Sequence, residues 1–198
     1  MTAVRLPAAE RRAALIKAAA RIFSRGSYRG TTTAEIARAA GVTEPVLYRH
    51  FASKRELYLA CVDEAWRRVR AIWDEALASE SDPARWLSAI GYAYLAVQDD
   101  VYLVDLWVQA LTEAGDDPEI ARHLREHMLE VHAAVRDLIR RSQAAGGVVA
   151  DRDSDAEAWI VIALGLLSTV GRRLGGVVGH DDLEAVFASR RCWMTGRD

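Results

Sequence analysis

Residues 32–50 read T-T-A-E-I-A-R-A-A-G-V-T-E-P-V-L-Y-R-H, and this stretch decides the fold. Thr32-x-x-Glu35 has the spacing of a capping box, in which a side-chain oxygen takes up an N–H that has no partner in a helix's first turn. Thr33 is a competing cap one residue on. A short helix is expected over about 34–40. Gly41 ends it, because glycine takes the left-handed conformation without a Cβ clash. Thr43 then caps a third helix, with Glu44 and Pro45 in its first turn. Proline is tolerated there because that N–H is unpaired anyway, and an acid meets the positive helix end. This helix is expected to end near residue 51. Ile36, Ala37, Val42 and Leu47 are spaced to pack the two short helices together at a steep angle. Two short capped helices joined by a glycine turn are a helix-turn-helix.

Outward from this motif the helical signals continue. Upstream, Leu15, Ala18, Ala19, Ile22 and Phe23 follow helical spacing over about 9–25, and Gly26 stops the run. Downstream, Ser53-Lys54-Arg55-Glu56 is a second capping box. It opens a long helix to about residue 78, with Leu57, Cys61, Ala65, Val69, Ile72 and Ala76 on one side. Further helices are expected at about 83–98, 101–114, 119–144, 154–174 and 181–193. Leu103, Leu106, Trp107, Ala110, Leu111 and Ala114 form one stripe of the 101–114 helix. Gly115-Asp116-Asp117-Pro118, Gly146-Gly147 and Gly175-Gly176 separate the later helices. No segment alternates with period two. The fold class is therefore all-α, with about nine helices. A helix-turn-helix head of three helices over 1–53 is joined, through the long helix, to a helical body over 54–198.

Composition narrows the function classes. The 198 residues carry 26 Lys+Arg and 28 Asp+Glu, a formal net charge of −2, with 51% hydrophobic residues. That balance belongs to a globular chain rather than a disordered one. Two distant cysteines, Cys61 and Cys192, exclude a disulfide framework and a zinc finger and suit a reducing compartment. The opening M-T-A-V-R-L-P-A-A-E-R-R has no apolar core of a signal peptide. The longest apolar stretch, 159–167, is expected to be too short for a membrane span. A cytoplasmic protein with no membrane partner is expected. The charge is unevenly spread. Residues 1–60 hold eleven Lys/Arg against four Asp/Glu, a formal +7, which leaves −9 for the remainder. A basic head on an acidic body points to a polyanion at the head. The N–H groups at the start of the third helix suit phosphate, and its side chains suit base edges in a major groove.

The stretch T-T-T-A-E-I-A-R-A-A-G-V-T-E-P-V-L-Y-R-H-F-A-S-K-R-E-L (31–57) resembles the DNA-binding signature of TetR-type transcriptional regulators. The resemblance is specific over 9–60. Beyond that it is one of layout, although L-W-V-Q-A-L-T-E-A-G-D-D-P-E-I (106–120) is similar to a form found in the family's ligand domains. The resemblance implies an all-helical homodimer that represses transcription and leaves its DNA when a small molecule binds the C-terminal domain. An activator, or a regulator that needs no ligand, is the alternative within the family. By the same resemblance Thr33, Thr43, Tyr48, His50 and Lys54 fall where the family contacts phosphates. Glu44, Pro45, Val46 and Arg49 fall on the face that approaches bases. Arg49 suits guanine O6/N7, Glu44 suits cytosine N4, and Val46 suits a thymine methyl. Many members have glycine where this chain has Pro45, which stiffens the helix start. Plainer roles remain open. Tyr48 can pack on the first helix, Arg49 can clamp phosphate, and Glu44 can be a surface acid.

In the body, six tryptophans lie outside the head. Trp66, Trp73, Tyr94, Trp107, His127 and Trp159 are the candidates to line a pocket for an apolar or aromatic effector. The other reading makes them core or dimer interface. His123-Leu124-Arg125-Glu126-His127 matches H-x-x-E-H, a zinc-hydrolase pattern. On a helical wheel Ile120, Leu124, Val131, Val135 and Leu138 define the buried arc. His127 falls inside it, His123 at its edge and Glu126 outside, so no metal site, cofactor or catalytic residue is expected, and the chain is not expected to be an enzyme. The metal-dependent hydrolase is the distant alternative. Residues 159–167 are apolar on every face, so their helix is expected to be buried all round. The family places its dimer interface on the last two long helices, here about 154–174 and 181–193. A two-fold dimer implies a near-palindromic double-stranded operator. The run Gly175-Gly176-Val177-Val178-Gly179 lacks the residues of a phosphate loop and reads as a plain connection.

Overall fold

A computed structural model describes residues 7–196, except for the side chains of 98–101 and 172. Arg5 of the basic head lies outside the described residues. Among those described are nine α-helices and no strand. They are α1 (Ala8–Arg25), α2 (Thr33–Ala39), α3 (Glu44–Tyr48), α4 (Lys54–Ser79), α5 (Trp86–Val101), α6 (Leu103–Ala114), α7 (Pro118–Ala144), α8 (Ser154–Arg173) and α9 (His180–Thr195). A single 3-10 turn, Pro83–Arg85, leads into α5. Tyr102, at φ 60°, is the one described non-glycine residue in the left-handed region, and it separates α5 from α6.

Local signals place most helix ends. The Thr32 capping box is complete: Glu35 N donates to Thr32 Oγ1 at 3.2 Å, and Thr32 N donates to Glu35 Oε2 at 2.9 Å. Those bonds hold the Glu35 carboxyl below its ordinary pKa. Gly41 has φ 68°, as a left-handed stop requires. Glu56 N donates to Ser53 Oγ at 3.1 Å, while Glu56 Oε2 accepts from Ala52 N at 2.6 Å, so the second box closes one residue early.

Three local expectations change. Thr43 sits at the N-cap of α3, but its side chain makes no cap bond. Thr33 is the first residue of α2, and its hydroxyl turns to Glu44 instead of capping. The third helix ends at Tyr48 rather than near residue 51, because Arg49 N and His50 N bond three residues back and tighten the turn. Five residues sum few peptide dipoles, so α3 offers a weaker positive end than a long helix would.

By packing, the chain forms two compact units. One runs to Arg67 and takes in Asp105–Leu124; the other holds Arg68–Val104 and the chain from Arg125. In the first, Leu15, Ala19 and Phe23 of α1, Ile36 and Ala37 of α2, Leu47, Phe51, and Leu57, Tyr58 and Cys61 of α4 are buried with Leu106 and Ile120. Phe23 and Tyr28 meet the Tyr58 ring edge-on at 4.8 and 5.0 Å. The Tyr58 hydroxyl donates to Leu106 O at 2.5 Å, and burial pushes its pKa well up. The α6 stripe is shifted from expectation: Leu111 is exposed and Glu113 is buried. The Glu113 carboxylate pairs with Arg29.

In the second unit Val135, Ile139, Val148, Ala158 and Met194 form the core, with Trp73, Leu87 and Val161 against it. Val149 N donates to Met194 O at 2.8 Å, and Ser142 Oγ donates to Pro83 O at 2.7 Å. A Cβ at Gly147 would run into the Pro83 backbone, so only glycine fits there. Helix α8 is not buried all round. Trp159, Ile160, Leu167 and Val170 are exposed, as is Leu174 just past its end, while Glu157, Ala158, Ser168, Thr169 and Gly171 face inward. The window Ser154–Gly171 is also longer than the apolar run suggested. With mean hydropathy 1.3 it is long and apolar enough to cross a membrane by length and composition. Its inner side is polar, however. Glu157 pairs with Arg190 and accepts from Trp193 Nε1 at 2.9 Å.

Candidate nucleic-acid interface

The buried side of the helix-turn-helix sets its outer side. Leu47 is fully buried, as is Ile36 of α2. Anchoring α3 through Leu47 turns Thr43, Pro45, Tyr48 and Arg49 outward, and all four are exposed. Val46 and His50 are half-buried. Tyr48 is 48% exposed, a large value for an aromatic side chain that would otherwise pack on α1. Among the described residues the Arg49 side chain has no hydrogen-bond or ion-pair partner, so its guanidinium is available to an outside acceptor.

Three candidate residues meet in one hydrogen-bonded chain. Thr33 Oγ1 donates to Glu44 Oε1, and the Tyr48 hydroxyl lies 3.1 Å from Thr33 Oγ1. Glu44 is thus engaged inward rather than held free toward a groove. Lys54 is also committed. Its ammonium donates to Tyr28 O at 2.9 Å and Thr31 O at 3.1 Å, and it lies 4.5 Å from the centre of the Tyr28 ring. It closes the loop between α1 and α2.

Two further arginines are held by acids distant in sequence. Arg29 Nε donates to Glu113 at 2.8 Å, and Arg29 also reaches Asp116. Arg55 Nη1 donates to Asp117 Oδ2 at 3.1 Å and also pairs with Glu119. The acids raise the pKa of both guanidiniums through these bonds. Nothing at short sequence range links residue 29 to 113 or 55 to 117, so no local pattern announced the pairs. The consequence for charge is large. The first unit carries thirteen Lys/Arg and eleven Asp/Glu in sequence, so its formal charge is +2 rather than the +7 counted over 1–60. Arg38 and Arg49 are exposed, and Arg12 lies over the Phe51 ring at 4.7 Å.

The six effector candidates fall in both units. Trp66, buried, and Trp107, half-buried, belong to the first. Trp73, Tyr94, His127 and Trp159 belong to the second. Trp73 packs on the core, Tyr94 is half-buried and His127 is 5% exposed. Trp159 lies on the outer side of α8, 45% exposed, stacked on His132 at 4.2 Å. The H-x-x-E-H residues do not converge. His123 Nε2 lies 2.8 Å from Asp63 Oδ1, His127 is buried, and Glu126 is exposed. Among the described residues no three His, Cys, Asp or Glu side chains gather closely enough to hold a metal ion.

Known proteins match the two ends of the chain separately. Residues 15–61 match the family described as bacterial regulatory proteins, tetR family. Residues 83–166 match the BetI-type transcriptional repressor, C-terminal family. The HTH-type transcriptional activator FasR of Mycolicibacterium smegmatis is 33% identical over 171 residues, 79% of this chain and 75% of that one. The HTH-type transcriptional repressor AcnR of Corynebacterium jeikeium is 24% identical over 189 residues, 92% of this chain and 93% of that one. A TetR transcriptional regulator from Chloroflexus aurantiacus superposes with TM-score 0.77 at 25% identity, over 96% of each chain. A TetR-family regulator from Agrobacterium tumefaciens superposes with TM-score 0.75 at 21% identity, over 94% of this chain and 98% of that one.

Proposed function

This chain belongs to the TetR family of helix-turn-helix transcriptional regulators, and from that premise we propose that it is a cytoplasmic, homodimeric repressor released from its operator by a small molecule. The observation that carries the DNA-binding part is the exposed face of α3. Thr43, Pro45, Tyr48 and an unpartnered Arg49 stand outward from a helix anchored by Leu47. Arg49 has the fork that matches guanine O6/N7, and the hydroxyl and imidazole donors of Thr43, Tyr48 and His50 suit phosphate. Lys54 acts through the loop it closes and Val46 through a methyl contact. Residues 1–53 carry the DNA contacts, and 54–198 carry the effector and dimer surfaces.

The dimer reading rests on α8. Ile160, Ala163, Leu167, Val170 and Leu174 are exposed at alternating spacings of three and four residues. That is the spacing of a helical seam that meets a like helix. We assign Trp159 to this surface and not to the effector pocket. A two-fold dimer presents two α3 helices to half-sites roughly 34 Å apart, so the operator is a near-palindrome. The effector is apolar or aromatic, with Trp73, Tyr94 and His127 as candidates in the second unit and Trp66 and Trp107 in the first. It acts by preferring the dimer in which the α3 spacing no longer fits the groove, a coupling typically of about 1–3 kcal/mol. The repressor sign is supported by the description of the matched C-terminal family. FasR, an activator, supports the opposite sign.

Selection from a random duplex library tests the reading. A palindromic winner bound at about 10⁻⁸ M or tighter, with a steep salt slope, is the expected result. Transcription from a promoter carrying that winner then falls on adding the protein; a rise makes it an activator. Tryptophan emission that ignores every compound able to release the DNA removes the aromatic pocket.

A further inference from the structure

We propose that Glu44 determines specificity by coupling the reading of one base pair to the phosphate contacts of Thr33 and Tyr48. This rests on the DNA-binding reading above. Thr33 Oγ1 donates to Glu44 Oε1, and the Tyr48 hydroxyl is 3.1 Å from Thr33 Oγ1. A carboxylate only accepts, so the single Thr33 proton goes to Glu44. Thr33 Oγ1 then accepts from Tyr48, and the one phenolic proton is turned inward. While Glu44 holds Thr33, neither hydroxyl can donate to a phosphate without breaking a bond it already makes. Glu44 and Tyr48 are the first and last residues of α3, so a change at the first reaches the far end of the outer face.

A duplex can exchange these bonds. Cytosine presents its N4 amino group as a donor in the major groove. The Glu44 carboxylate is held inward on Thr33, so reaching that amino group swings it off the Thr33 hydroxyl, and Thr33 and Tyr48 then regain their protons for phosphate oxygens. A base edge made only of acceptors, guanine O6/N7 or thymine O4, offers Glu44 nothing in return. There Glu44 stays on Thr33, and the phosphate contacts fail together with the base contact. One wrong base therefore costs three contacts where an uncoupled residue would cost one. Without DNA the same bonds give the hydroxyl of Thr33, a residue only 8% exposed, a partner.

The test compares the full chain, E44A and E44Q, each with and without Tyr48→Phe, on the selected duplex and on single-base variants changed in both half-sites. The wild type is expected to lose about ten- to a hundredfold when guanine or thymine replaces one cytosine, the range of a mismatched pair. Tyr48→Phe lowers wild-type affinity for the selected duplex and leaves that for the cytosine variant unchanged. In E44A the preference at that position disappears, and Tyr48→Phe weakens both duplexes equally. E44Q keeps an acceptor for Thr33 and gains a donor, so its preference there moves toward adenine. E44Q also carries the test if E44A melts too early to assay. Equal cost of Tyr48→Phe on both duplexes in the wild type, or an unchanged base preference in E44A or E44Q, overturns the coupling. A wild-type chain that selects no duplex overturns the DNA-binding reading and the coupling with it.

Discussion

Helices α3 and α8 both leave large side chains uncovered, and the chemistry of what they leave differs. The outer face of α3 holds Thr43, Pro45, Tyr48 and Arg49 around one buried anchor, Leu47. The outer face of α8 holds Trp159, Ile160, Leu167 and Val170. Exposed donors lose little by staying in water and gain by meeting fixed acceptors, which suits a polyanion. An exposed apolar seam loses about 25 cal/mol for every Å² left wet, which suits a partner of the same kind. Exposure alone therefore does not identify a partner. What the exposed atoms would gain by leaving water does.

The largest expected effect separates these two faces. Leu167→Asp, combined with Ile160→Asp, should convert a dimer into a monomer by light scattering. The monomer's melting should change little, because both positions are exposed in the single chain. Operator affinity should fall by about a hundredfold or more as the two heads stop sharing one duplex. An unchanged mass would assign the α8 face to something other than self-association.

Arg49→Ala comes next. It should cost about 1–3 kcal/mol on the selected operator and relax preference at one base position, leaving random duplex little changed. Equal loss on every duplex would reduce Arg49 to a phosphate clamp. Lys54→Ala should act through the loop it holds. The lost charged hydrogen bonds to Tyr28 O and Thr31 O should lower stability by on the order of 1–3 kcal/mol in urea unfolding. DNA binding should then weaken uniformly across sequences. A Lys54→Ala chain of unchanged stability would show that the loop closes without it.

The smallest effect concerns pH. Burial tends to raise the Asp117 pKa, but the Arg55 guanidinium and the backbone N–H groups of Ile120 and Glu119 outweigh it and hold the pKa below the ordinary 3.8. A lowered folded pKa contributes stability that is fully present above the unfolded value and is lost as pH falls through the folded one. Arg55→Ala should therefore move acid unfolding of the first unit to a slightly higher pH, followed by Trp107 emission. An identical acid transition in both proteins would mean that the pair is only a solvated surface contact.

Legibility followed distance along the chain. Thr32 and Glu35 are three residues apart, and their capping box could be read off and is present. Gly41 could be read as a turn because its requirement is local. The expected Thr43 cap bond is not made, and Thr33 turned from cap to donor because Glu44 lies eleven positions on. The candidates Thr33, Glu44 and Tyr48 were each visible, but their shared proton chain was not. Leu111 and Glu113 exchanged places in the α6 stripe, and Glu113 pairs with Arg29, far away in sequence. Helix α8 read as buried because periodicity reports how apolar a helix is and not what covers it.

By itself the sequence determined the helices, their order and the helix-turn-helix, since capping, glycine stops and apolar periodicity act within a few residues. It also determined the family, through the residues over 31–57. Only the tertiary structure decided which charges remain available. Arg29 and Arg55 are taken up by acids from α6 and the start of α7, Lys54 is spent on a loop, and Arg49 is left open. Only the tertiary structure decided, too, that one side of α8 is covered by its own chain and the other is not. Hydrogen bonds and ion pairs act over a few ångströms of space whatever the separation along the chain, so their partners exist only once the chain is folded.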